Sequence, residues 1–302
     1  MKKNSVETPS THTIHKDPGA RKEKTIHIVL LLAATVSLLA LFLITAFVVG
    51  EGWPVMVKHG PLNLILGTDW TPSRLSFGML PQLTGTLLVT LGALLIAVPL
   101  GVGCAIFLAE LSSEKVANLL RPCISLLAAV PSVVYGFLGI IVLVPLLRST
   151  FGGSGYSLLA GSIVLAIMIL PSIINISEDT LRALPIDYRE ASLALGSTRW
   201  QTIWRVLLPA ARPGIVVSII LAMGRAIGET MAVMMVTGNR AKVTGALLDP
   251  GATMAGTIGL EWSYAADEHS SALFALGTFL FIVIMLLNGV AQLVTSRGRV
   301  SQ

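Results

Sequence analysis

Six long stretches without a charged residue divide the chain: Ile28 to Val49, Leu75 to Ala109, Pro122 to Leu147, Ser149 to Ser177, Pro213 to Gly224 with a continuation to about Thr237, and Ser270 to Ser296. A bilayer core needs about 20 helical residues to cross it, so each stretch predicts one spanning helix, some with connecting loop attached. None shows the alternation of a membrane barrel strand, and in lipid the backbone is satisfied only by helices or closed barrels. The predicted fold is an all-α polytopic membrane protein of six transmembrane helices.

These runs predict the division of the chain. Residues 1–25 form a polar, disordered cytoplasmic tail, 26–50 the first transmembrane helix and 51–80 an outer loop. Residues 81–296 hold five further helices, with a cytoplasmic loop at 178–212 and an outer loop at 237–269, and 297–302 form a second cytoplasmic tail. The first apolar run is long and lacks a small-residue cleavage site, so it is expected to stay as a signal anchor.

Composition agrees: 54% of residues are hydrophobic and 12% charged, against about a quarter charged in soluble domains. With both termini inside, 15 Lys and Arg fall on cytoplasmic segments and five on outer ones, the bias that orients membrane proteins. The net charge of +5 is therefore read as topology, and no nucleic-acid partner is expected. The chain is placed in the cell (inner) membrane with cytoplasmic termini.

Other chemistry is sparse. Cys104 and Cys123 lie near inner ends of spans, facing a reducing compartment, so no structural disulfide is expected. The five histidines, at 12, 15, 27, 59 and 269, stand outside or at the edge of the spans, and no metal site is predicted. Asn175-Ile176-Ser177 matches a glycosylation acceptor but sits at an inner end, where it reads as chance. Pro99, Pro131, Pro145 and Pro171 lie within the apolar runs, where each either kinks a helix or reflects the higher proline content of membrane helices.

The loop before the fifth span reads EDTLRALPIDYREASLALGSTRWQTIWRVLLPAARP. Leu193, Leu195, Ile203, Val206 and Leu207 give it an apolar stripe, and Arg189, Glu190, Arg199 and Arg205 a charged one. Gly196 marks a turn, so two short helices are expected, with an apolar side to bury on a partner, on the bundle or on headgroups.

Glu190-Ala191-Ser192, three residues, Gly196, nine residues and Val206-Leu207-Leu208-Pro209 resemble the EAA loop of ABC importer permeases. Ser192 and Val206 depart mildly from the family's alanine and isoleucine. The resemblance implies that this loop is a coupling helix docking on an ATP-hydrolysing subunit, with Glu190, Ala191, Gly196, Leu208 and Pro209 as its coupling positions. No phosphate-binding loop of the G-x-x-x-x-G-K-[ST] type occurs in the chain. The chain is thus expected to be a non-enzymatic subunit without its own cofactor, ATP and Mg being used by the partner.

Within the fifth span, GRAIGETMAV places Arg225 and Glu229 four residues apart. Each charge costs about 2.5–3.5 kcal/mol at the bilayer centre on insertion scales, so both are expected to face a partner or a path, and on one helix they can pair. Gly224, Gly228 and Ala232 form a small-residue stripe suited to close helix packing. Arginine's fork fits tetrahedral oxyanions, and a carboxylate can accept the O–H that phosphate keeps at neutral pH. Arg225 and Glu229 are the expected substrate-path residues, Glu229 neutralising Arg225 in the empty path.

GTLLVTLGALLIAVPLGVGCAIFLAEL (85–111), LLAAVPSVVYGFLG (126–139), LAIMILP (165–171) and GRAIGETMAVMMVTGN (224–239) are similar to the PstC-type permeases of phosphate-specific ABC importers. The resemblance covers about residues 26–296 and implies a type I importer (MetI-like) fold. It also implies a PstA-like sister permease, two PstB-like ATP-binding subunits, a phosphate-binding protein on the outer face, and inorganic phosphate as substrate. Importers of other oxyanions such as sulfate or molybdate share the coarse features and stay open. A membrane phosphatase lacks the needed nucleophile and acid-base set within the spans.

Overall fold

The computed structural model describes residues 19–297, which fall into two compact units divided between Phe47 and Val48. Helix α1 (Gly19–His59) starts inside the polar stretch assigned to a tail, so the tail's last residues are helical. Residues 1–18, with His12 and His15, and residues 298–302 lie outside the described part. In the first unit no side chain from Ile26 to Ile44 is buried. A helix apolar on every side and unburied is a lipid-facing one.

In the second unit the 51–80 segment is folded rather than a plain loop. Helix α1 runs on to His59, α2 spans Pro61–Leu66, and strands β1 (Trp70–Thr71) and β2 (Ser76–Phe77) pair antiparallel with Trp70 opposite Phe77. These elements enclose a small core with Val55, Leu64, Met254 and Leu273. Helices α3 (Leu80–Ile106) and α7 (Leu158–Arg182) form the centre of the bundle. Ala93, Ala97, Gly101 and Ala105 are buried at every fourth position of α3, a small-residue seam that admits close approach. A Cβ on Gly92 would come within 2.4 Å of the Ser162 hydroxyl, and one on Gly101 within 2.7 Å of Ile173. Leu165, Ile169 and Ile173 of α7 fill the facing core.

The prolines divide by effect. Chain direction changes at Val130–Pro131, between α4 (Glu114–Ala129) and α5 (Ser132–Leu138). The third span is therefore Ser132–Phe151, and residues 122–129, expected within it, belong to a separate amphipathic helix. A wide π turn at Gly139–Leu143 precedes Pro145 in the first turn of α6 (Val144–Phe151), where a missing N–H is tolerated. Pro99 and Pro171 sit inside continuous helices.

Beyond α7 come α8 (Asp187–Ala194), α9 (Arg199–Thr202), α10 (Leu208–Gly228), α11 (Met231–Val236), α12 (Met254–Glu261) and α13 (Asp267–Arg297). Six helical segments among the described residues are long and apolar enough to cross a membrane: Ile26–His59, Leu80–Leu111, Ser132–Phe151, Leu158–Arg182, Arg199–Gly228 and Asp267–Val290.

Candidate functional site

The fifth span does not carry Arg225 and Glu229 on one continuous helix. Helix α10 ends at Gly228, Glu229 is extended (φ −69°, ψ 125°), and α11 restarts at Met231. The break removes the face the two charges were expected to share, and among the described residues they form no ion pair. Instead a Glu229 carboxylate oxygen accepts from the backbone N–H of Ala232 at 3.2 Å, holding the first turn of α11. That N–H has no helical partner of its own.

Arg225 is exposed on the open side of α10 and has no hydrogen-bond or ion-pair partner among the described residues. On α5 the Tyr135 O–H donates to the Leu127 carbonyl across the α4–α5 break at 2.7 Å. Helices α5 and α11 meet beside it: a Cβ on Gly136 of α5 would lie 3.0 Å from Ala232 Cα and 2.7 Å from Met235 Sδ. Glu229 borders a crevice lined by Thr86, Val89, Thr90, Ala226, Val233 and Thr253 that is too narrow for a water molecule. The arrangement presents an uncompensated guanidinium on one side of a helix break and a half-buried carboxylate behind it.

Among the described residues no neighbour closes on Gly224 or Gly228, where helix packing was expected. A Cβ on Gly228 would meet nothing within 4 Å, and one on Gly224 would come only to 4.0 Å from Asn288. With the helix broken after Gly228, Ala232 belongs to α11 and packs on Gly136 instead.

The 178–212 segment folds into the two expected helices. Gly196 adopts φ +83° after α8, a left-handed position that favours glycine. Thr198 and Gln201 then form a capping box that starts α9. A π turn at Ile203–Leu207 joins α9 to α10, whose first turn holds Leu208 and Pro209. The apolar stripe splits: Ile203 and Leu207 are buried in the bundle, while Leu193 and Leu195 are exposed, Leu195 to 88%. Ile186, Trp200 and Trp204 are exposed as well, and Glu190 and Ala191 also lie on the outside.

Comparison with known proteins agrees with this architecture. Residues 97–300 match the family described as "Binding-protein-dependent transport system inner membrane component". The chain belongs to that family. The permease is 38% identical over 274 residues to the probable ABC transporter permease protein YqgH of Bacillus subtilis (strain 168), covering 88% of this chain and 89% of that protein. It is 36% identical over 266 residues to the phosphate transport system permease protein PstC of Mesorhizobium japonicum, covering 81% of each. Among solved structures, the permease overlays a bacterial alginate ABC transporter with a TM-score of 0.64 at 14% identity, covering 93% of this chain and 98% of that one. It overlays the MetNI methionine ABC transporter at 0.56 and 21%, covering 76% and 99%. At such identities these structures show the fold, that of a MetI-like importer permease.

Two carboxylates of the permease were not singled out in the sequence. Glu178, 4% exposed, binds the Arg121 Nε at 2.7 Å and the Arg182 Nε at 3.0 Å, tying α4 to α7. Glu110 receives the guanidinium of Arg189 from α8 in a forked contact, which keeps Arg189 firmly charged, its pKa raised chiefly by that hydrogen bond. Each of the two ends a charge-free run, and that position was the one available signal. Gln82, wholly buried in the first turn of α3, has no hydrogen-bond partner for its side-chain amide among the described residues.

Proposed function

We propose that the chain is the membrane-spanning permease subunit of an ATP-driven importer of inorganic phosphate, forming half of the translocation path. The observation that carries this reading is the unpartnered Arg225 beside the break in the fifth span. A free charge in a spanning segment costs about 2.5–3.5 kcal/mol, and a passing oxyanion offsets that cost while a permanent partner would block it. Two donors of the guanidinium fork match two phosphate oxygens. Glu229, a turn behind, accepts the remaining phosphate O–H or repels an anion that lacks one. The naming of the PstC relatives supports phosphate over other oxyanions.

In this reading both termini are cytoplasmic and the exposed face of α8 and α9, with Ile186, Glu190, Ala191, Leu195 and the Trp200–Trp204 pair, receives an ATP-binding subunit. A sister permease completes the path, two ATP-binding subunits supply ATP and Mg chemistry, and a phosphate-binding protein delivers substrate at the outer end. The chain itself does no catalysis and holds no cofactor.

Uptake of labelled phosphate by cells expressing Glu229→Gln, with and without excess sulfate, tests the assignment. The expected result is slower phosphate uptake with sulfate now competing. Normal uptake with unchanged discrimination would remove Glu229 from the selectivity role, and sulfate uptake by the native protein in place of phosphate would move the whole reading to another oxyanion.

A further inference from the structure

Helix α8 is eight residues long and only Ser192 on it is buried. Side-chain hydrogen bonds hold it to the rest of the fold at two points among the described residues. Ser192 meets the Thr202 hydroxyl at 3.0 Å, a contact with the start of the fifth span. Arg189 makes the other contact, and it reaches different helices. Its Nε lies 3.1 and 3.0 Å from the two Glu110 oxygens, its Nη2 also binds Glu110 and donates to the Leu181 carbonyl at 3.0 Å, and its Nη1 donates to the Leu184 carbonyl at 3.3 Å.

The acceptors explain why an arginine stands here. The carbonyls of Leu181 and Leu184 lie at and just beyond the end of α7, where the helix dipole favours a cation, and the Leu181 carbonyl also accepts from the Leu184 N–H at 3.4 Å. Glu110 lies in the π turn Phe107–Leu111 that ends span two. A π turn shifts helix phase by one residue, about 100°, and here Glu110 faces α8. One planar fork thereby joins three chain segments, a geometry that lysine's single ammonium cannot reproduce. The side chains of Arg189 and Glu110 are 20% and 10% exposed, so Arg189 is spent inside the permease and is not offered to a docking subunit.

We infer that Arg189 and Glu110 are positioning residues that transmit displacement of α8 to spans two and four, while Ser192 transmits it to span five. This rests on the reading of α8 as the ATPase-docking helix. Without the fork, α8 would hang from span five and from its connecting residues, and a push from the ATPase would move α8 against the bundle instead of moving the bundle.

The test uses the complete transporter, permeases with ATPase and binding protein, in vesicles, measuring phosphate accumulated per ATP hydrolysed for Glu110→Gln and Arg189→Lys. Both variants preserve size, and Arg189→Lys preserves charge. The expected result is ATP hydrolysis near the native rate with phosphate per ATP down by about tenfold, within the span of coupling residues. A Glu110→Cys/Arg189→Cys pair, in a chain with Cys104 and Cys123 replaced, should recover coupling when bridged by a short bismaleimide. A phosphate-to-ATP ratio within twofold of native in both single variants, or no recovery on bridging, overturns the inference. Failure of the docking reading shows separately, as absence of a cross-link from Leu195→Cys in the otherwise native permease to the ATPase.

Discussion

Glu229 accepts a hydrogen bond from the backbone of Ala232 at 3.2 Å, so its carboxylate serves the start of α11 while Arg225, four residues earlier, has no partner among the described residues. The pair therefore separates into a structural charge and a free one, and the two should respond differently to mutation.

Removing Glu229 to alanine deletes the acceptor for the Ala232 N–H, an effect of about 1 kcal/mol by analogy with helix caps. Glu229→Gln retains a carbonyl oxygen at the same reach. Thermal unfolding of the purified protein in detergent should show a lower midpoint for Glu229→Ala and a near-native one for Glu229→Gln, while both slow phosphate uptake.

Arg225 shows the reverse behaviour. Having no hydrogen-bond or ion-pair partner among the described residues, it anchors nothing in the fold, so Arg225→Ala should leave the unfolding midpoint unchanged or raise it. Phosphate uptake should fall by about 10- to 100-fold, the loss of a charge-assisted hydrogen bond of about 1.5–3 kcal/mol. A large drop in stability with uptake retained would place Arg225 in the structure instead of the path.

The contact between α5 and α11 predicts a sharp contrast among glycines. A methyl group on Gly136 would press on Ala232 Cα at 3.0 Å and Met235 Sδ at 2.7 Å, and such overpacking costs about 1–3 kcal/mol. Gly228 has open space around it. Gly136→Ala should lower the unfolding midpoint of the isolated permease and Gly228→Ala should not, as differential scanning fluorimetry would register.

Glu178 holds two arginines at once. Glu178→Ala leaves Arg121 without its carboxylate and Arg182 with Glu114 alone at 3.8 Å, and should destabilise by about 2 kcal/mol, below the roughly 3–5 kcal/mol of a fully buried pair, since the Arg182 side chain is 37% exposed. Glu178→Leu should be no better, because the arginine charges stay. Denaturation of the two variants side by side measures this.

Much of the molecule was legible in the residues themselves. The charge-free runs set the number of spans because lipid solvates no charge and each crossing has a fixed length. The loop's two helices followed from Gly196 and from the spacing of its apolar positions, and Thr198 with Gln201 starts the second by purely local hydrogen bonds. Close packing was expected at Gly224 and Gly228, while the seam filled among the described residues lies at Ala93, Ala97, Gly101 and Ala105 of α3. Both patterns look alike along the chain, and only the neighbour that arrives decides which is filled.

The sequence by itself determined an all-helical membrane permease, its six spans and the two charges of the fifth, since these depend on solvation and on spacing within one segment. Only the tertiary structure decided that the fifth span breaks at Gly228, that Glu229 turns to Ala232 while Arg225 stands free, and that Arg189 is bound to Glu110 instead of facing a partner. Those outcomes depend on residues 79 positions apart, or on helices α5 and α11 meeting across the bundle, and a free energy shared between distant segments leaves no local pattern to read.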